Sequence, residues 1–536
     1  MTELGLAARV RRTAVRTLTG AGVLLVAGAV AAAPALWPVA SPAEPDAVAL
    51  TAVDVPPAPT TLVCPGPLRL PTEPEPGGDV LYDPQFDPSP EASASVLTAV
   101  SVPPEPGGDA AAGELRPLVA GTTALPATPL DPAPDGAVAS VVPDTALVVA
   151  TQAARDRPAW SAGAVGVTTT TGDLRGLAAA SCRAPSAETW LVGGSTALGS
   201  SARLVLQNPG STPASVRLEL WGPGGAVELA GSPEYLVPAG SERVVLLEGV
   251  AAEQARVVVR LTASGGLVTG YLQDSQLRGL VPAGVDLVVA GTGPAERQVV
   301  PGVSVTTTAI DGADTAALRL LAPGDEGGTA SISLLGPGGA VALPGADEVE
   351  LRAGEVLDVP LAGLAEGAWT AVVTSDVPVV AGALVTRGQG VGLPDAGTLA
   401  RAPLDRAWAP ALLPGTSGAL ALPLGDGALT LGAVTQAGVS GPARATLDVL
   451  GASGDVLATH GLTLTSGATA SVPLADLLPD DAAAGARAAA LVLRTDDPRV
   501  VWAAVLERAD PAGGMIAVLS PVAPRTAQPE VLVQVG

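Results

Sequence analysis

Few side chains in this 536-residue chain could carry out acid–base or nucleophilic chemistry. The single histidine, His460, lies in DVLATHGLTL next to a glycine turn, with Asp448 and Asp455 as the nearest acidic candidates to pair with it. A histidine base also needs a nucleophile and an orienting group within reach, and the sequence has no G-x-S-x-G elbow. We therefore interpret His460 as a turn or surface residue, and we expect no catalytic residue and no enzyme activity.

Two glycine-rich strings resemble phosphate-binding loops at first sight. LWGPGGAVEL occupies residues 220–229, and LLGPGGAVAL occupies residues 334–343. A phosphate-binding loop needs a following Lys and Ser or Thr at the start of a helix, and this chain contains no lysine at all. Both strings are therefore predicted to be hairpin turns, in which Gly supplies positive φ angles, and no nucleotide cofactor is expected.

Acidic side chains recur at every fourth position in DVLYDPQFDPSPE: Asp79, Asp83, Asp87 and Glu91. On a helix they would share one face, but Pro84, Pro88 and Pro90 exclude that helix. Calcium prefers oxygen ligands, yet no D-x-D-x-D-G loop occurs. We interpret the segment as a solvated acidic loop, extend that interpretation to the pairs 480–481 and 496–497, and expect no bound metal or other cofactor.

Tryptophans offer the only candidate binding surface. The chain has 7 Trp, 3 Tyr and 1 Phe, and Trp190, Trp221 and Trp408 lie near or within predicted strands. Exposed aromatic rings can stack on glycans, whereas buried ones pack in cores and between domains. The sequence leaves both interpretations open for these three residues.

The two cysteines, Cys64 and Cys182, both lie beyond a predicted export segment. In an oxidising compartment an isolated pair most simply forms one disulfide. Two free thiols or a metal site are the alternatives, and a metal site would need more Cys or His nearby. We predict a Cys64–Cys182 disulfide.

The N-terminus carries an export signal. Four arginines precede an uncharged, apolar stretch from Thr17 to Ala43: Arg9, Arg11, Arg12 and Arg16. Positive charge before such a stretch keeps the N-terminus in the cytoplasm. We predict a cytoplasmic tail at 1–16 and, at 17–40, a transmembrane anchor in a single-pass cell-membrane protein; the alternative is a cleaved signal peptide and a secreted protein.

Charge and composition restrict the possible binding partners and fold classes of this chain. The formal net charge is −24, with 28 basic and 52 acidic residues, and nucleic acid is excluded as a partner because its recognition needs a basic patch. The 65 Gly and 52 Pro residues favour turns over helices. Helical periodicity is confined to short Ala-rich stretches such as DDAAAGARAAAL at 480–491.

An internal repeat organises the C-terminal two thirds. Gly336 and Pro323 each lie 114 positions after Gly222 and Pro209, and a weaker third copy places LDVLGASGDVL, with Gly451, at the glycine turn. Runs of short strands between Gly and Pro turns predict an all-β fold of tandem immunoglobulin-like β-sandwiches. The expected order is linker 41–60, an N-terminal disulfide-closed β region with Pro-rich loops at 61–183, sandwiches at 184–295, 296–403 and 404–524, and a C-terminal tail at 525–536.

Three blocks of sequence carry a family resemblance: TTLVCPGPL around Cys64, LRGLAAASCRAPSAETWLVGGST around Cys182, and RLVLQNPGSTPASVRLELWGPGG. In these blocks the chain resembles the actinobacterial exported proteins grouped as domain of unknown function 5719. The resemblance implies an extracytoplasmic, membrane-associated envelope protein, and it brings no activity, substrate or catalytic residue with it.

Two function classes follow from the sequence. The first is a non-enzymatic envelope protein, a structural or interaction scaffold for another envelope protein or a cell-wall polymer. The alternative is a glycan-binding or glycan-processing module, which would need a cleft lined by Trp and carboxylates. Whether the three tryptophans are exposed or buried distinguishes a glycan-binding platform from packing in a core.

Overall fold

The structure is a computed structural model that describes residues 50–54, 57–70, 93–121, 125–154, 157–306, 315–343, 345, 348–388, 403–482, 485–524 and 530–534. The predicted N-terminal anchor and the acidic loop at 79–91 lie outside these residues. No helix within the described ranges has the length and apolar character needed to cross a bilayer.

The chain forms two compact units, Met1–Pro56 with Gln528–Gly536, and Pro57–Ala527. In the first unit, β1 (Leu50–Asp54) pairs antiparallel with a C-terminal strand, β35 (Glu530–Gln534). The sequence indicated a linker and a tail at these places. The runs LTAVD and EVLVQ contain Val and Thr, which favour strands, and pairing satisfies the backbone groups that face the partner strand.

The prediction of an all-β fold is confirmed. Within the described residues the helices are one turn of α-helix at Leu247–Val250 and a 3-10 turn at Leu474–Leu477. The Ala-rich segment at 480–491 is not helical where it is described: it contains turns and the start of a strand. Gly485 has φ +84°, and Ala488 and Ala490 are buried in a core, so tertiary packing overrides the helix propensity of alanine.

The second unit contains four consecutive modules with one strand order. The first module consists of β2 (Thr60–Cys64), β3 (Ser93–Val102), β4 (Gly113–Pro117), β5 (Thr128–Leu130), β6 (Ala137–Val141), β7 (Leu147–Thr151), β8 (Trp160–Thr169) and β9 (Gly176–Ser181). Its sheets have the orders β2-β7-β4-β5 and β6-β3-β8-β9. Numbered within the module, these orders are 1-6-3-4 and 5-2-7-8.

The second module repeats this order, with strand 4 divided into two short strands. It consists of β10 (Glu188–Val192), β11 (Ser200–Asn208), β12 (Ala214–Gly222), β13 (Gly225–Ala226), β14 (Glu234–Val237), β15 (Ser241–Leu246), β16 (Val258–Ser264), β17 (Thr269–Arg278) and β18 (Val281–Val288). β13 and β14 both pair with β12, and the other sheet has the order β15-β11-β17-β18.

The third module also repeats the order, but one long strand serves as strands 6 and 7. It consists of β19 (Ala295–Val305), β20 (Ala317–Leu321), β21 (Gly328–Gly336), β22 (Gly339–Ala342), β23 (Val349–Leu351), β24 (Leu357–Pro360), β25 (Gly367–Arg387) and β26 (Asp405–Pro410). The first part of β25 pairs with β19 and β21, and its last part pairs with β20 and β26. Pro378, which cannot donate a backbone hydrogen bond, lies at this change of partners.

The fourth module has two separate four-stranded sheets. It consists of β27 (Gly418–Ala421), β28 (Gly427–Ala433), β29 (Ala443–Leu450), β30 (Val456–Leu464), β31 (Ala468–Pro473), β32 (Ala490–Arg494), β33 (Val500–Arg508) and β34 (Met515–Leu519). The sheet orders are β27-β32-β29-β30 and β31-β28-β33-β34.

The strand order refines two expectations from the sequence. An immunoglobulin constant domain pairs its first strand with its second, whereas here strand 1 pairs with strand 6 in each module. The repeat also assigned residues 404–410 to the third sandwich copy, but Asp405–Pro410 pairs with β25 of the preceding module. The same order in the first module adds a fourth copy that the sequence did not reveal.

The two GPGG strings form equivalent hairpins, as predicted. Gly222 pairs with Gly225 across one turn, and Gly336 pairs with Gly339 across the other. Gly225 and Gly339 have φ of +112° and +113°, a region that favours glycine.

Each module buries apolar side chains between its two sheets. In β12 the alternate residues Val216, Leu218 and Leu220 are buried, as the period-2 pattern predicts. One continuous core contains residues from both the first and the fourth modules. The ends of the module series therefore pack against each other.

The last strands of the four modules meet at the centre of the unit. We call β9, β18, β26 and β34 the central strands. β9 contacts β18 and β34, and β26 also contacts β18 and β34, so the modules close around these strands. Every residue of β9, β26 and β34 is buried.

Candidate functional site

Trp190 and Trp221 lie in the joint between the second and third modules and do not form an open platform. Their rings stack with centroids 5.4 Å apart, and they are only 4% and 8% exposed. They form a small apolar cluster that includes Val356 and Val380 of the third module. The prediction of a possible binding surface at these two residues is wrong, because the third module covers both rings.

Trp408 is buried in the same joint. Its indole Nε1–H donates to Asp274 Oδ2 at 2.9 Å, and its backbone N–H donates to Asp286 Oδ2 at 2.6 Å. The guanidinium of Arg319 lies 4.5 Å from the Trp408 ring centroid. Arg319 also donates to the carbonyls of the second module at Gly194, 2.7 Å, and Val257, 3.2 Å. Trp408 is thus a packing residue and does not line a binding surface.

The central strands share one buried carboxylate. Asp405 on β26 is 0% exposed, and its Oδ2 accepts the backbone N–H groups of Leu177 on β9 and Ile516 on β34, both at 2.9 Å. The backbone N–H groups of Val285 on β18 and of Arg406 also favour the ionised carboxylate. One side chain of the third module therefore interacts with the backbone of all three other modules.

Burial dominates the electrostatics of this centre. It raises the pKa of Asp405 to about 7, although the backbone N–H groups act in the opposite direction. Burial also raises the pKa of Asp286 well above its usual range, and the charges of Asp405 and Asp274 add to that shift. Arg406 lies 3.6 Å from Asp274, and burial lowers the pKa of its guanidinium.

The raised pKa values of Asp286 and Asp405 are of the kind that often marks active sites, but both carboxyl groups are buried. Asp274, Asp286 and Asp405 are at most 1% exposed, and the donors that reach them belong mainly to the backbone of neighbouring strands. Sequence reasoning missed all three. For Asp286 the available signal was a single Asp within an otherwise apolar run, GVDLVV, because such a charge must find partners inside the fold.

The predicted disulfide is confirmed. Cys64 and Cys182 are bonded and fully buried, and the bond connects the end of β2 with the residue after β9. The cysteines therefore join the two sheets of the first module. A Cβ atom at Gly163 would lie 2.6 Å from Cys182 Sγ, so β8 needs glycine where it passes the bond.

His460, Asp448 and Asp455 each contact other groups and not one another. His460 Nε2 lies 2.9 Å from the Leu477 carbonyl oxygen. Asp448 accepts hydrogen bonds from Thr459 and Arg494, and Asp455 accepts one from Ser453. These contacts stabilise β29, β30 and their turn.

The other acidic pairs lie at the surface or are paired. Asp480 and Asp481 are exposed in a turn. Asp497 accepts two hydrogen bonds from the Arg499 guanidinium, which holds the pKa of Asp497 down at about 2. Within the described ranges, no three His, Cys, Asp or Glu side chains are grouped so that they could hold a metal ion.

An open groove of about 1240 Å³ lies between the first and fourth modules. Trp160 of β8 lines it half-buried, and the Arg494 guanidinium lies 5.3 Å from the Trp160 ring centroid. Arg494 pairs with Asp448 and donates to the Pro103 carbonyl at 3.1 Å. Further polar side chains along the groove are Glu105, Arg444, Thr446, Thr463, Asp496 and Asp497.

The groove combines an aromatic ring with cations and carboxylates, which is the composition of many polar-ligand sites. Sequence reasoning considered three other tryptophans and missed Trp160. Trp160 opens a strand immediately after a Pro-containing loop, ARDRPAW, and that place at a strand end was the available signal.

Comparison with known proteins gives a family match and no individual relative. The model of a family described as "Family of unknown function (DUF5719)" matches residues 134–475. No curated protein and no solved structure matches the chain.

Proposed function

Since the chain belongs to the DUF5719 family, a family of unknown function, we propose from the structure that it is a non-enzymatic, extracytoplasmic protein of the cell envelope. It acts as a structural or interaction scaffold. Its modules are β-sandwiches that share paired antiparallel sheets with immunoglobulin-like domains but have their own strand order. Its partner is another envelope protein or a cell-wall polymer.

The main support for this proposal is the set of hydrogen bonds that Asp405 accepts. A buried carboxyl group with a raised pKa could serve as an acid or a base, yet Asp405 accepts hydrogen bonds from neighbouring modules. Trp190, Trp221 and Trp408 are likewise buried in a joint between modules. A protein whose buried carboxyl and tryptophan side chains connect its modules is suited to hold a fixed shape.

The cellular place follows from the sequence and the disulfide. A buried Cys64–Cys182 bond suits an oxidising compartment, and the arginine-led apolar segment at 17–40 suits export. We propose that this segment anchors the protein in the cell membrane with the modules outside. Secretion after signal cleavage is the alternative.

Glycan binding is a second candidate function, and the groove at Trp160 favours it. The groove is open along two modules and offers an aromatic ring beside arginine and carboxylate side chains. Sugars are recognised by such combinations of apolar ring faces and polar groups. A scaffold that holds a cell-wall polymer would use this groove.

The test combines turnover and binding on the same protein. Purified full-length protein is incubated with insoluble cell walls, and released reducing ends and amines are measured together with the fraction of protein that sediments. We expect no release above a protein-free control. Release that His460→Ala, Asp83→Asn or Asp87→Asn abolishes would overturn the scaffold proposal.

The sedimentation arm tests the groove. If the groove binds cell-wall glycan, Trp160→Ala should weaken sedimentation about tenfold, since one stacking contact contributes on the order of 1–2 kcal/mol. Arg243→Gln, at an exposed arginine of the second module, is the matched control and should bind like the wild type. Equal sedimentation of the wild type and Trp160→Ala would remove the glycan-binding candidate and leave the scaffold proposal intact.

A further inference from the structure

A pocket of about 320 Å³ lies where the segments that connect the modules converge. Arg183 comes from the segment after β9, residues 290–292 from the segment after β18, and residues 411–416 from the segment after β26. Residues 521 and 523 follow β34, and Val501 and Trp502 belong to β33. We call this the linker pocket. All four modules, or the segments that connect them, therefore line this pocket.

Arg183 brings a positive charge to the linker pocket without a counter-charge. Among the described residues, no carboxylate forms an ion pair with it, whereas the buried arginines Arg175, Arg319 and Arg499 each pair with an Asp. One Nη of Arg183 donates to Ser520 Oγ, and its buried Nε–H has no acceptor. The guanidinium is enclosed enough that burial lowers its pKa to about 10.

A second buried donor, on a residue that lines the linker pocket, also lacks an acceptor. Trp502 is 1% exposed, and its indole Nε1–H makes no hydrogen bond. A buried indole N–H usually finds a partner, and leaving a buried donor unpaired costs free energy. Arg183 and Trp502 together give the pocket a surplus of donors and of positive charge.

We propose that the linker pocket binds a small ligand through its carboxylate. A guanidinium pairs with a carboxylate through parallel N–H donors, and an anion here would compensate a charge that the protein itself leaves unpaired. The volume suits a small ligand. The carboxylate can come from the C-terminus of a short peptide or from a sugar acid, and this inference does not depend on the scaffold role.

The experiment uses purified full-length protein and three probes. N-acetylglycine presents a peptide-type carboxylate, glucuronate presents a sugar acid, and N-acetylglycinamide is the neutral control. Binding is measured by isothermal titration calorimetry. Independently, phenylglyoxal modifies accessible arginines, and mass spectrometry follows the adduct at Arg183 with and without each probe, which needs no variant.

We expect one or both carboxylates to bind and to slow modification of Arg183, while the amide does neither; which carboxylate binds identifies the source. Arg183→Gln should weaken binding tenfold or more, because it removes a charge-assisted pair, and Trp502→Phe should weaken it severalfold. Arg243→Gln should bind within twofold of the wild type. Absence of protection by both carboxylates, equal protection by N-acetylglycinamide, or unchanged affinity in a folded Arg183→Gln variant would overturn the proposal.

Discussion

At the scale of single residues, Asp405 is distinctive because its one carboxylate connects the central strands. Its carboxylate accepts backbone N–H groups from β9 and β34. The fold thus keeps a carboxyl group where an apolar residue would leave edge-strand N–H groups unsatisfied. Losing those partners costs more than a typical hydrogen bond contributes.

We expect Asp405 to make the free energy of unfolding depend on pH. Its pKa is about 7 in the folded protein against an ordinary 3.8, so the folded state holds this proton more tightly than the unfolded state does. Its contribution to stability is therefore fully present below pH 4, falls by about 1.4 kcal/mol per pH unit as pH rises toward 7, and is constant above that. Urea unfolding of the wild type and of Asp405→Asn at pH 5 and pH 8 measures this.

The Asn variant keeps an acceptor oxygen but cannot ionise. We expect its stability relative to the wild type to improve from pH 5 to pH 8, since only the wild type loses the contribution of Asp405. Asp286 and Asp274 are present in both proteins and act as internal controls. A difference between the two proteins that is the same at both pH values would refute the assignment.

At the scale of elements, the central strands can meet because they carry glycine where another strand approaches. A Cβ atom at Gly176 on β9 would lie 2.5 Å from Asp405 Oδ1, and one at Gly284 on β18 would lie 2.6 Å from the Arg406 backbone nitrogen. Gly284 also has φ +104°. Larger residues would push the central strands apart.

The joint between the second and third modules should depend on Arg319. It makes a two-pronged ion pair with Asp358 and donates to carbonyls of the second module. Arg319→Lys keeps the charge but loses the planar fork, so we expect unfolding to become easier by about 2–4 kcal/mol. Arg217→Lys is the control: that residue is exposed, lies 4.0 Å from Glu234, and should change stability by less than about 1 kcal/mol. Equal effects in urea unfolding would contradict this role.

The sequence predicted individual strands better than their partners. Apolar runs such as SVLTAVSV at 95–102 and AGAVGVTTTT at 162–171 lie in or overlap β3 and β8, because alternating or continuous apolar runs mark strands locally. The pairing of strand 1 with strand 6 depends on contacts far apart in the chain, and local patterns carry no record of it. The first module escaped detection as a copy because Pro-rich loops interrupt its strands.

The candidate site was predicted less well for a related reason. The Cys64–Cys182 bond followed from the number of cysteines and the compartment, and neither depends on the fold. The contacts of Trp408, Asp405 and Arg183 depend on which modules meet, and the sequence indicates no such neighbours. For Trp190 and Trp221 the sequence left a binding surface and packing both open, and only the structure shows the module that covers them.

At the scale of the whole molecule, the modules form a closed arrangement and not an open string. The first module contacts the fourth through Arg175 and Asp510, 3.0 Å apart, and through Ser181, which donates to the Ser520 carbonyl at 2.6 Å. Their apolar cores are continuous. Contacts of this kind favour fixed relative positions of the modules, which is what the proposed scaffold requires.

Differential scanning calorimetry of the purified protein, without reductant, tests this account most directly. If the modules are joined through the central strands, residues 57–527 should unfold in one transition whose calorimetric and van't Hoff enthalpies agree, and Asp405→Ala should lower the temperature of that whole transition. Multidomain proteins with independent modules instead show several transitions. Two or more separate transitions, with Asp405→Ala shifting only the one that belongs to the third module, would contradict the account.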